Sequence, residues 1–340
     1  MCKTWGEVIK SLTKIRIDND TIKRLFSAAG IDGVREIFPL VTGEFNSVFR
    51  VDAGSFRYVL KVAPHENTQV LTYENNLLRH EIDTCEQMRG KTPLKIPTIY
   101  YADCSKKLIP AEFFIMEWMD APALSNVKPS KKRKTEINAR LGAFLGELHK
   151  IKGSGFGYPQ NGLHGDWYQA LKAMIQNLIT DAAKKNKKLR GAERLLKYVE
   201  RYKTVLLSVK PSVLVNFDLW DPNIFYGETS EGFELSLIDP ERSFFGDGIG
   251  DFVALDYLKP IEKKRYLFDA YNKTSDTVVR MHEEEKIRYY IMSAYLAMIM
   301  QTEKYYRYKK TQVKYWVHTL AARLFRSNAL RNLKKLSKSK

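Results

Sequence analysis

The spacing of apolar residues changes along the chain and separates a strand-rich part from a helical part. In residues 5–30 apolar residues recur every three or four positions, which predicts a helix that ends near Gly30. The segments that follow are short and rich in β-branched and aromatic residues, with Gly43, Gly54 and Pro110 at or near their junctions. This pattern is typical of an antiparallel sheet. The predicted strands are EIFPLV, NSVFRVDAG, FRYVLKVA, TIYYAD and AEFFIMEWM.

Helical spacing dominates the rest of the sequence. One helical stretch, TQVLTYENNLLRHEIDTCEQMRG, lies between the third and fourth predicted strands and closes at Gly90. From residue 122 onward the helical stretches are interrupted only by three short predicted strands, and helices resume near Phe252. The most apolar run, Ile291–Met300, is far shorter than the roughly 20 residues that span a membrane, and it predicts a buried helix. The helical stretches include KTEINARLGAFLGELHKI, WYQALKAMIQNLITDAAKK and AERLLKYVERYKTVLLSV, and the three strands are SVLVNF, NIFY and FELSLID.

The order of these elements predicts an α+β protein with two lobes. Residues 1–117 would form a small lobe, an antiparallel sheet with one inserted helix and an N-terminal helical extension. Residues 118–121 would connect it to a larger and mostly helical lobe, residues 122–340. Hydrophobic residues make up 44% of the 340, which is ample for cores in both lobes.

The chain is strongly basic, with a formal net charge of +17. This charge favours anionic ligands and, non-specifically, nucleic acid or an anionic membrane. Much of it lies in three runs, Lys128–Lys134, Lys184–Arg190 and Arg331–Lys340, which we interpret as solvated surface. No zinc-finger spacing or interleaved aromatic and basic strand accompanies them, so the sequence argues against nucleic acid as the partner.

Cysteine usage indicates a reducing compartment. Cys2, Cys85 and Cys104 are scattered and odd in number, without the spacing of a metal site or a disulfide framework. The first twenty residues mix charges and lack the apolar core of a signal peptide. The sequence therefore predicts a cytoplasmic protein, with no membrane as a partner.

Two acidic motifs carry the candidate chemistry. In NFDLWDPNIFY, Asp218 ends one strand-like run and Asn223 begins the next, and in LIDPERS Asp239 ends another. An aspartate held in such a loop can accept a proton from a hydroxyl group, while amide and carboxylate oxygens are ligands for hard cations. One base and two oxygen ligands are the minimum set for Mg-assisted phosphoryl transfer.

The predicted sheet offers a site that could bind phosphate. Gly43, with polar Asn46 and Ser47 after it, lies between two predicted strands, where backbone N–H groups can approach phosphate oxygens. Lys61 lies in an otherwise apolar strand and needs a partner, because a buried unpaired charge is costly. Glu81 in the inserted helix is the candidate partner, and Glu74 or Glu86 are alternatives.

Together these motifs resemble the aminoglycoside phosphotransferase superfamily, small-molecule kinases that share the protein-kinase fold and include choline and fructosamine kinases. The resemblance covers roughly residues 35–260 and is most specific in the D-x-x-x-x-N of NFDLWDPN and the ID of LIDPERS. GDGIGD, LGELHKI and YVLKV match further family motifs, whereas the glycine loop lacks G-x-G-x-x-G. Asn216 stands where the family usually has a histidine that supports the loop.

The resemblance implies a role for each candidate residue. Asp218 would be the general base, Asn223 and Asp239 would hold Mg, and Lys61, fixed by Glu81, would hold the α- and β-phosphates. A nucleotide, ATP or GTP, would lie between the lobes.

The connector and a downstream aspartate complete the implied site. Glu117, Trp118 and Met119 in the connector would contact the nucleotide, and Asp251 would support the catalytic loop. The phosphate would pass to a hydroxyl group of a small molecule: an aminoglycoside, a sugar or another metabolite. A basic chain argues mildly for a neutral or anionic acceptor over a cationic aminoglycoside.

Other interpretations stay open from the sequence. Asn216 motivates a pseudokinase, a nucleotide-binding or interaction module without turnover, and the net charge motivates an anion- or nucleic-acid-binding protein. Locally, His149 is expected to be a hydrogen-bonded core residue. Glu241 and Arg242 could form an ion pair with a neighbouring helix or bind a ligand.

The segment LHGDWYQAL also contains H-G-D but lacks the amide that should follow. Asp166 there is expected to cap a helix. Trp167 and Tyr168 are candidates for the acceptor pocket.

Overall fold

The computed structural model of this chain describes residues 12–40, 43, 45–255 and 263–338. The chain forms two compact units, each assembled from separate segments. The first comprises Met1–Val70, Pro97–Trp118 and Glu303–Trp316. The second comprises Leu71–Ile96, Met119–Thr302 and Val317–Lys340. The predicted α+β class is confirmed.

The first unit is built on a five-stranded sheet in the order β1-β2-β3-β5-β4, with every neighbouring pair antiparallel. Each strand comes from a segment in which the sequence predicts one. Gly54, with a φ of +57°, makes the tight turn between the second and third strands, a conformation that glycine adopts without steric cost. The strands are β1 (Val34–Leu40), β2 (Ser47–Ala53), β3 (Phe56–Val62), β4 (Ile99–Asp103) and β5 (Phe113–Glu117).

Helix α1 (Asn19–Ala28) covers one face of this sheet. It is shorter than the predicted helix over residues 5–30, which is wrong for residues 12–18, while residues 5–11 lie outside the described residues. Asp18 caps the helix by accepting the Thr21 N–H at 2.7 Å, and the preceding segment bonds to the sheet instead, through Ile15 and the Ser47 hydroxyl. Helix and sheet share a core of Ile22, Leu25, Phe26, Val51, Leu60, Val62, Ala111, Phe113 and Ile115.

The second unit is mainly helical. The most apolar predicted helix is confirmed inside α9, where most residues of Ile291–Met300 are buried. Two helices, α5 and α6, replace one predicted helix, because the backbone departs from helical geometry at the buried Tyr202. Within the described part of the chain the remaining helices are α2 (Leu77–Met88), α3 (Lys131–Leu148), α4 (Trp167–Lys184), α5 (Ala192–Arg201), α6 (Lys203–Leu207), α7 (Asp251–Ala254), α8 (Arg265–Tyr271), α9 (Glu283–Arg307) and α10 (Val313–Leu336).

Two glycines of α3 set how closely α8 packs against it. A Cβ on Gly142 would lie 2.6 Å from the Ala270 Cβ and 2.7 Å from the Leu267 carbonyl oxygen. A Cβ on Gly146 would lie 1.9 Å from the Thr274 hydroxyl oxygen. These distances are far below van der Waals contact, so only glycine permits this approach. The close packing fixes the helix end that carries His149.

Two small antiparallel sheets lie within this helical unit. The pair β7 (Ile224–Thr229) and β8 (Gly232–Leu237) follows two of the predicted strands. The third predicted strand is β6 (Val213–Val215), and it pairs with β9 (Phe244–Gly246), which the sequence analysis did not predict. Three residues are too few to show a period, so β9 is apparent only from its pairing.

Candidate active site

The second residue of the loop after β6 is buried and has a strained backbone. Phe217 has a φ of +58°, a conformation that costs a non-glycine residue of the order of 1 kcal/mol. Its ring is fully buried and packs edge-on against Phe244 at 5.3 Å between centroids. The core therefore holds the backbone turn that leads to Asp218.

Asp251 holds the same loop from the start of α7. Its fully buried carboxylate accepts the backbone N–H of Asn216 at 3.1 Å and that of Phe217 at 2.7 Å. The ring nitrogen Nε2 of His149 also lies 3.0 Å from it. Three polar contacts satisfy the buried charge, which would otherwise be costly. Asp251 supports the loop as the family resemblance implies.

His149 is a hydrogen-bonded core residue, as predicted. Its Nε2 faces Asp251, so the imidazole donates there, and its Nδ1 accepts from the Tyr271 hydroxyl at 3.0 Å. Burial raises the pKa of Tyr271, which therefore stays a neutral donor. A Cβ on Gly248 would lie 2.5 Å from the imidazole, so glycine is required beside the ring.

Asn216 supports the loop with its side-chain oxygen. The side chain is fully buried, and its Oδ1 accepts the backbone N–H of Asp218 at 3.0 Å. This local bond orders the two residues that precede the candidate base. An asparagine thus supplies a scaffold contact at the position where the family usually has histidine.

The carboxylate of Asp218 is fixed from two sides. Asn223 donates its Nδ2 to Asp218 Oδ2 at 3.0 Å and to the Asp218 carbonyl at 3.1 Å. Arg242 donates its Nη1 to Asp218 Oδ1 at 3.1 Å. The side chains of Asp218 and Arg242 are 18% and 15% exposed, so solvent still reaches both. From the sequence, Arg242 could pair with a neighbouring helix or bind a ligand; in the structure it pairs with Asp218.

Asn223 and Asp239 meet at one end of the β7–β8 hairpin. Asn223 immediately precedes β7, and its carbonyl accepts the N–H of Ile238, the residue before Asp239, at 3.0 Å. Because the Asn223 Nδ2 is committed to Asp218, its Oδ1 remains as an acceptor. An amide oxygen beside a carboxylate fits a hard cation such as Mg²⁺. Among the described residues, no group of three or more His, Cys, Asp or Glu side chains forms a metal site.

Helix α2 packs against the turn that follows Asp239. His80 lies 2.6 Å from the Ser243 carbonyl through its Nε2, and burial lowers its pKa. On the same helix, Glu81 is 1% exposed. Of its two alternatives, Glu74 is buried and accepts the Leu71 N–H at 2.9 Å, and Glu86 is exposed. Glu81 therefore remains the candidate partner for Lys61, and that pairing stays a prediction.

The remaining candidates lie mainly in the first unit. Lys61, 3% exposed, lies on the central strand β3. Asn46 and Ser47 are buried, and the Ser47 hydroxyl is used to bind the Ile15 backbone at 2.9–3.0 Å. A phosphate contact at Gly43 and these residues therefore relies on their backbone or on Asn46.

In the connector, Glu117 bonds to Thr98 through both its backbone N–H, at 2.8 Å, and its Oε2, at 3.2 Å. Trp118 ends the first unit, with the Arg50 guanidinium 5.8 Å from the centre of its ring. Met119 begins the second unit and is buried. Their contact with a nucleotide stays a prediction.

Two expectations about LHGDWYQAL had different outcomes. Asp166 caps α4 by accepting the Gln169 N–H at 2.8 Å, as predicted. Trp167 is fully buried and stacks on Phe244 at 5.7 Å, so its suggested place in an acceptor pocket is wrong. Tyr168 donates its hydroxyl to Glu200. Trp220, two residues after Asp218, is 41% exposed.

One curated protein is similar to this chain in sequence. A protein from Enterococcus faecium provisionally named a ketoamine kinase is 23% identical over 225 residues, covering 62% of this chain and 70% of that protein.

Solved structures with the same fold are more divergent in sequence. One is a protein from Ralstonia eutropha provisionally assigned as an aminoglycoside phosphotransferase, with a TM-score of 0.66, 14% identity and coverage of 94% of this chain and 99% of the other. Another is the ternary complex of APH(2")-IIa with streptomycin and ATP, with a TM-score of 0.57, 15% identity and coverage of 93% and 99%. The α+β protein thus has the two-lobed fold of small-molecule kinases, as predicted.

The family model for the phosphotransferase enzyme family matches residues 38–258, close to the range over which the motifs resemble it. That range contains the Asp218 loop, the β7–β8 hairpin and Asp251. The chain therefore belongs to the phosphotransferase enzyme family.

Proposed function

We propose that this phosphotransferase moves the γ-phosphate of ATP, with Mg²⁺, to a hydroxyl group of a small molecule. One observation carries the proposal: the Asp218 carboxylate lies on a braced loop, bonded to the amide of Asn223, which neighbours Asp239. This arrangement presents one proton acceptor beside two oxygen donors for a hard cation.

In the proposed reaction Asp218 accepts the proton of the acceptor hydroxyl. The hydroxyl oxygen forms a new bond to the γ-phosphorus, the bond from that phosphorus to the bridging oxygen breaks, and ADP leaves with its electron pair. Asn223 and Asp239 would hold Mg²⁺, which supplies charge neutralisation on the phosphates when bound. Arg242 would orient Asp218 through the 3.1 Å bond to its Oδ1.

The first unit would bind the nucleotide in this proposal. Lys61 is buried on the central strand of the sheet, where an ammonium group would contact the α- and β-phosphates and pair with Glu81. Backbone groups near Gly43 and Asn46, and the connector residues Glu117, Trp118 and Met119, would complete the nucleotide site. A nucleotide complex of a structural neighbour supports ATP as the donor, with GTP as the alternative.

For the acceptor, we favour a neutral or anionic sugar derivative of the ketoamine type. The curated relative in Enterococcus faecium carries a ketoamine kinase name, and the chain has a net charge of +17, which disfavours a cationic aminoglycoside. A cytoplasmic location is part of the proposal, because the scattered and odd-numbered cysteines Cys2, Cys85 and Cys104 fit a reducing compartment.

Replacing the candidate base tests the mechanism. Asp218→Asn keeps the size of the side chain but removes its basicity, so we expect kcat to fall by at least about 100-fold. ATP-coupled turnover should be measured against ketoamines, sugars, amino alcohols and aminoglycosides, with thermal melting to confirm folding. Asp269→Asn makes the same change on the exposed face of α8 and serves as the matched control. Undiminished turnover in Asp218→Asn would refute the mechanism.

A pseudokinase is the second candidate, motivated by Asn216. The bond from the Asp218 N–H to Asn216 Oδ1 argues against it, because the loop remains braced without a histidine. ATP-dependent thermal stabilisation of the wild-type protein, with no phosphate transfer to any acceptor in that set, would favour the pseudokinase.

A further inference from the structure

Helix α10 exposes an apolar stripe to solvent. Val317, Leu320 and Leu324 are 57%, 58% and 60% exposed, and their spacing of three and four residues places them on one helix face. The opposite face of the helix packs into the core, because its residues Ala322, Ala329 and Leu333 are buried. We call Val317, Leu320 and Leu324 the α10 stripe. Contiguous exposed apolar side chains mark interaction surfaces more often than single ones do.

A basic groove lies next to this stripe. It has a volume of about 740 Å³ and lies between residues 188–197 and the last turns of α10. Seven cationic side chains and one carboxylate line it, and that carboxylate, Glu193, already pairs with Lys188 at 3.0 Å. We call it the basic groove. Its exposed cations include Arg190, Arg194, Lys197, Arg331 and Lys334.

Five of the seven cations that line the groove have no acidic partner among the described residues. Within the described ranges, no carboxylate forms an ion pair with Arg190, Arg194, Lys197, Arg331 or Lys334. Two leucines, Leu189 and Leu330, are buried among these cations. Local repulsion between the cations would be relieved by an anionic ligand.

The groove and the stripe form one continuous surface. Arg331 lies seven residues after Leu324, which places it two turns further along the same face of α10. The groove wall formed by residues 188–197 lies close to α10 at Gly191, which has a φ of +89°. A Cβ on Gly191 would lie 2.7 Å from the Arg326 Cδ. The packing of this loop on α10 therefore places the basic wall beside the apolar stripe.

We propose that this surface docks the protein on an anionic phospholipid bilayer. The phosphate groups of lipids would lie in the basic groove, and the α10 stripe would insert among the acyl chains at the interface. Basic helices with an exposed apolar face bind membranes in this way, through burial of apolar area together with attraction to anionic lipids. The association is peripheral, since no described helix is long and apolar enough to span a membrane.

Other partners fit the surface less well. A second copy of the chain would bring two strongly basic surfaces together, at an unfavourable charge cost. A nucleic acid would use the cations but not three aliphatic side chains, because bases stack on aromatic rings. The sequence predicts no membrane partner because it lacks a spanning segment, but peripheral binding needs no such segment. The proposal is independent of the phosphotransfer chemistry.

Vesicle flotation with the full chain tests the proposal. Vesicles of phosphatidylcholine containing about one third phosphatidylserine should bind the wild-type protein, and pure phosphatidylcholine should not. The groove variant Arg190→Gln/Arg194→Gln/Arg331→Gln should bind the anionic vesicles roughly 100-fold more weakly. The stripe variant Leu320→Ser/Leu324→Ser should bind at least about tenfold more weakly.

Matched controls separate the surface from net charge. One control removes the same charge from an exposed turn of α3 and should bind like the wild type: Lys131→Gln/Lys132→Gln/Lys134→Gln. A second control keeps the charge of the groove and should also bind like the wild type: Arg190→Lys/Arg194→Lys/Arg331→Lys. Thermal melting checks that each variant folds, and raising salt from about 0.1 M to about 1 M weakens wild-type binding if charge drives it.

Several results would overturn the proposal. Equal losses in the groove variant and the α3 variant would mean that net charge alone acts. If the stripe variant binds anionic vesicles as tightly as the wild type, the α10 stripe does not insert among the acyl chains, and the proposed apolar contact is refuted. Equal binding to vesicles of pure phosphatidylcholine would show that binding does not require anionic lipid.

Discussion

At the scale of single residues, a buried carboxylate sets the geometry of the loop that carries Asp218. Asp251 is fully buried and binds two successive backbone N–H groups of the loop, together with His149. The strained backbone at Phe217 persists because these bonds and the packing of its ring hold it. The backbone of Asp218 is therefore held in place before any substrate binds, which lowers the entropic cost of the reaction proposed for it.

Arg242 is predicted to act as a positioning residue for Asp218. Arg242→Gln removes the 3.1 Å bond to Asp218 Oδ1, while the bond from Asn223 Nδ2 to Asp218 Oδ2 remains. We expect kcat to fall by about 10- to 100-fold, with little change in the KM for ATP. Steady-state kinetics with varied ATP measures both constants.

The control for Arg242 is Arg133→Gln, which removes an ion pair with Glu136 on α3 and should leave both constants unchanged. A raised KM for ATP with unchanged kcat would show that Arg242 binds the nucleotide instead. Arg242→Lys should recover part of kcat, because a lysine keeps the charge but presents no planar fork.

At the scale of secondary-structure elements, α2 and the turn after β8 are joined by one buried imidazole. His80 Nε2 lies 2.6 Å from the Ser243 carbonyl, and burial lowers the pKa of this histidine. The neutral ring is thus the form that the folded protein accommodates. The contact connects the helix that carries Glu81 to the segment that carries Asp239 and Arg242.

This histidine predicts a pH dependence of stability. Because the pKa of His80 is lower in the folded state, the unfolded chain binds more protons near and below its ordinary pKa of about 6.5. The contribution of His80 is therefore fully present above that pKa and is lost as pH falls through the folded value. The loss of stability between pH 7.5 and pH 5.5, roughly one unit on either side of that pKa, should be smaller in His80→Gln than in the wild type, as measured by denaturant melts.

His282→Gln provides the control, since His282 is exposed and should leave the wild-type pH dependence unchanged. An identical loss of stability in His80→Gln and the wild type would show that other groups cause the acid sensitivity.

At the scale of the whole molecule, the residues of the proposed site are divided between two compact units. The Asp218 loop, the hairpin with Asn223 and Asp239, and Glu81 belong to the second unit, while Lys61 and the segment around Gly43 belong to the first. The connector residues Trp118 and Met119 lie on either side of the division.

Mg²⁺ removal tests the proposed ligands at this scale. ATP at about 100 times its Kd should stabilise the protein by about 2.7 kcal/mol, and EDTA should remove much of that gain. Asp239→Asn should abolish the difference between Mg and EDTA, because an amide is a weaker ligand than a carboxylate. Asparagine tolerates the φ of +55° at this position, so the variant should fold. Thermal melting with ATP measures both effects.

Asp269→Asn is again the control and should keep the full Mg-dependent gain. An Asp239→Asn variant that retains this gain would exclude Asp239 as a metal ligand.

The local pattern of the sequence determined the strands, most of the helices and the candidate residues of the loop. Asp218 and Asn223 are five positions apart on one turn, so their spacing alone predicts that their side chains can act together. The same is true of the Asp166 cap, which bonds to a residue three positions away. These features depend on the conformation of a few consecutive residues, and sequence patterns report such conformations directly.

Only the tertiary structure decided what braces that loop. Asn216 and Asp251 are 35 residues apart, His149 and Asp251 are 102 apart, and Arg242 reaches Asp218 across 24 residues. Strand β9 exists because it pairs with β6, and the α10 stripe is distinguished from a core face only by its exposure. These contacts arise when distant segments pack together. Composition and periodicity identify which faces are apolar or charged, but they do not determine which surface each face meets.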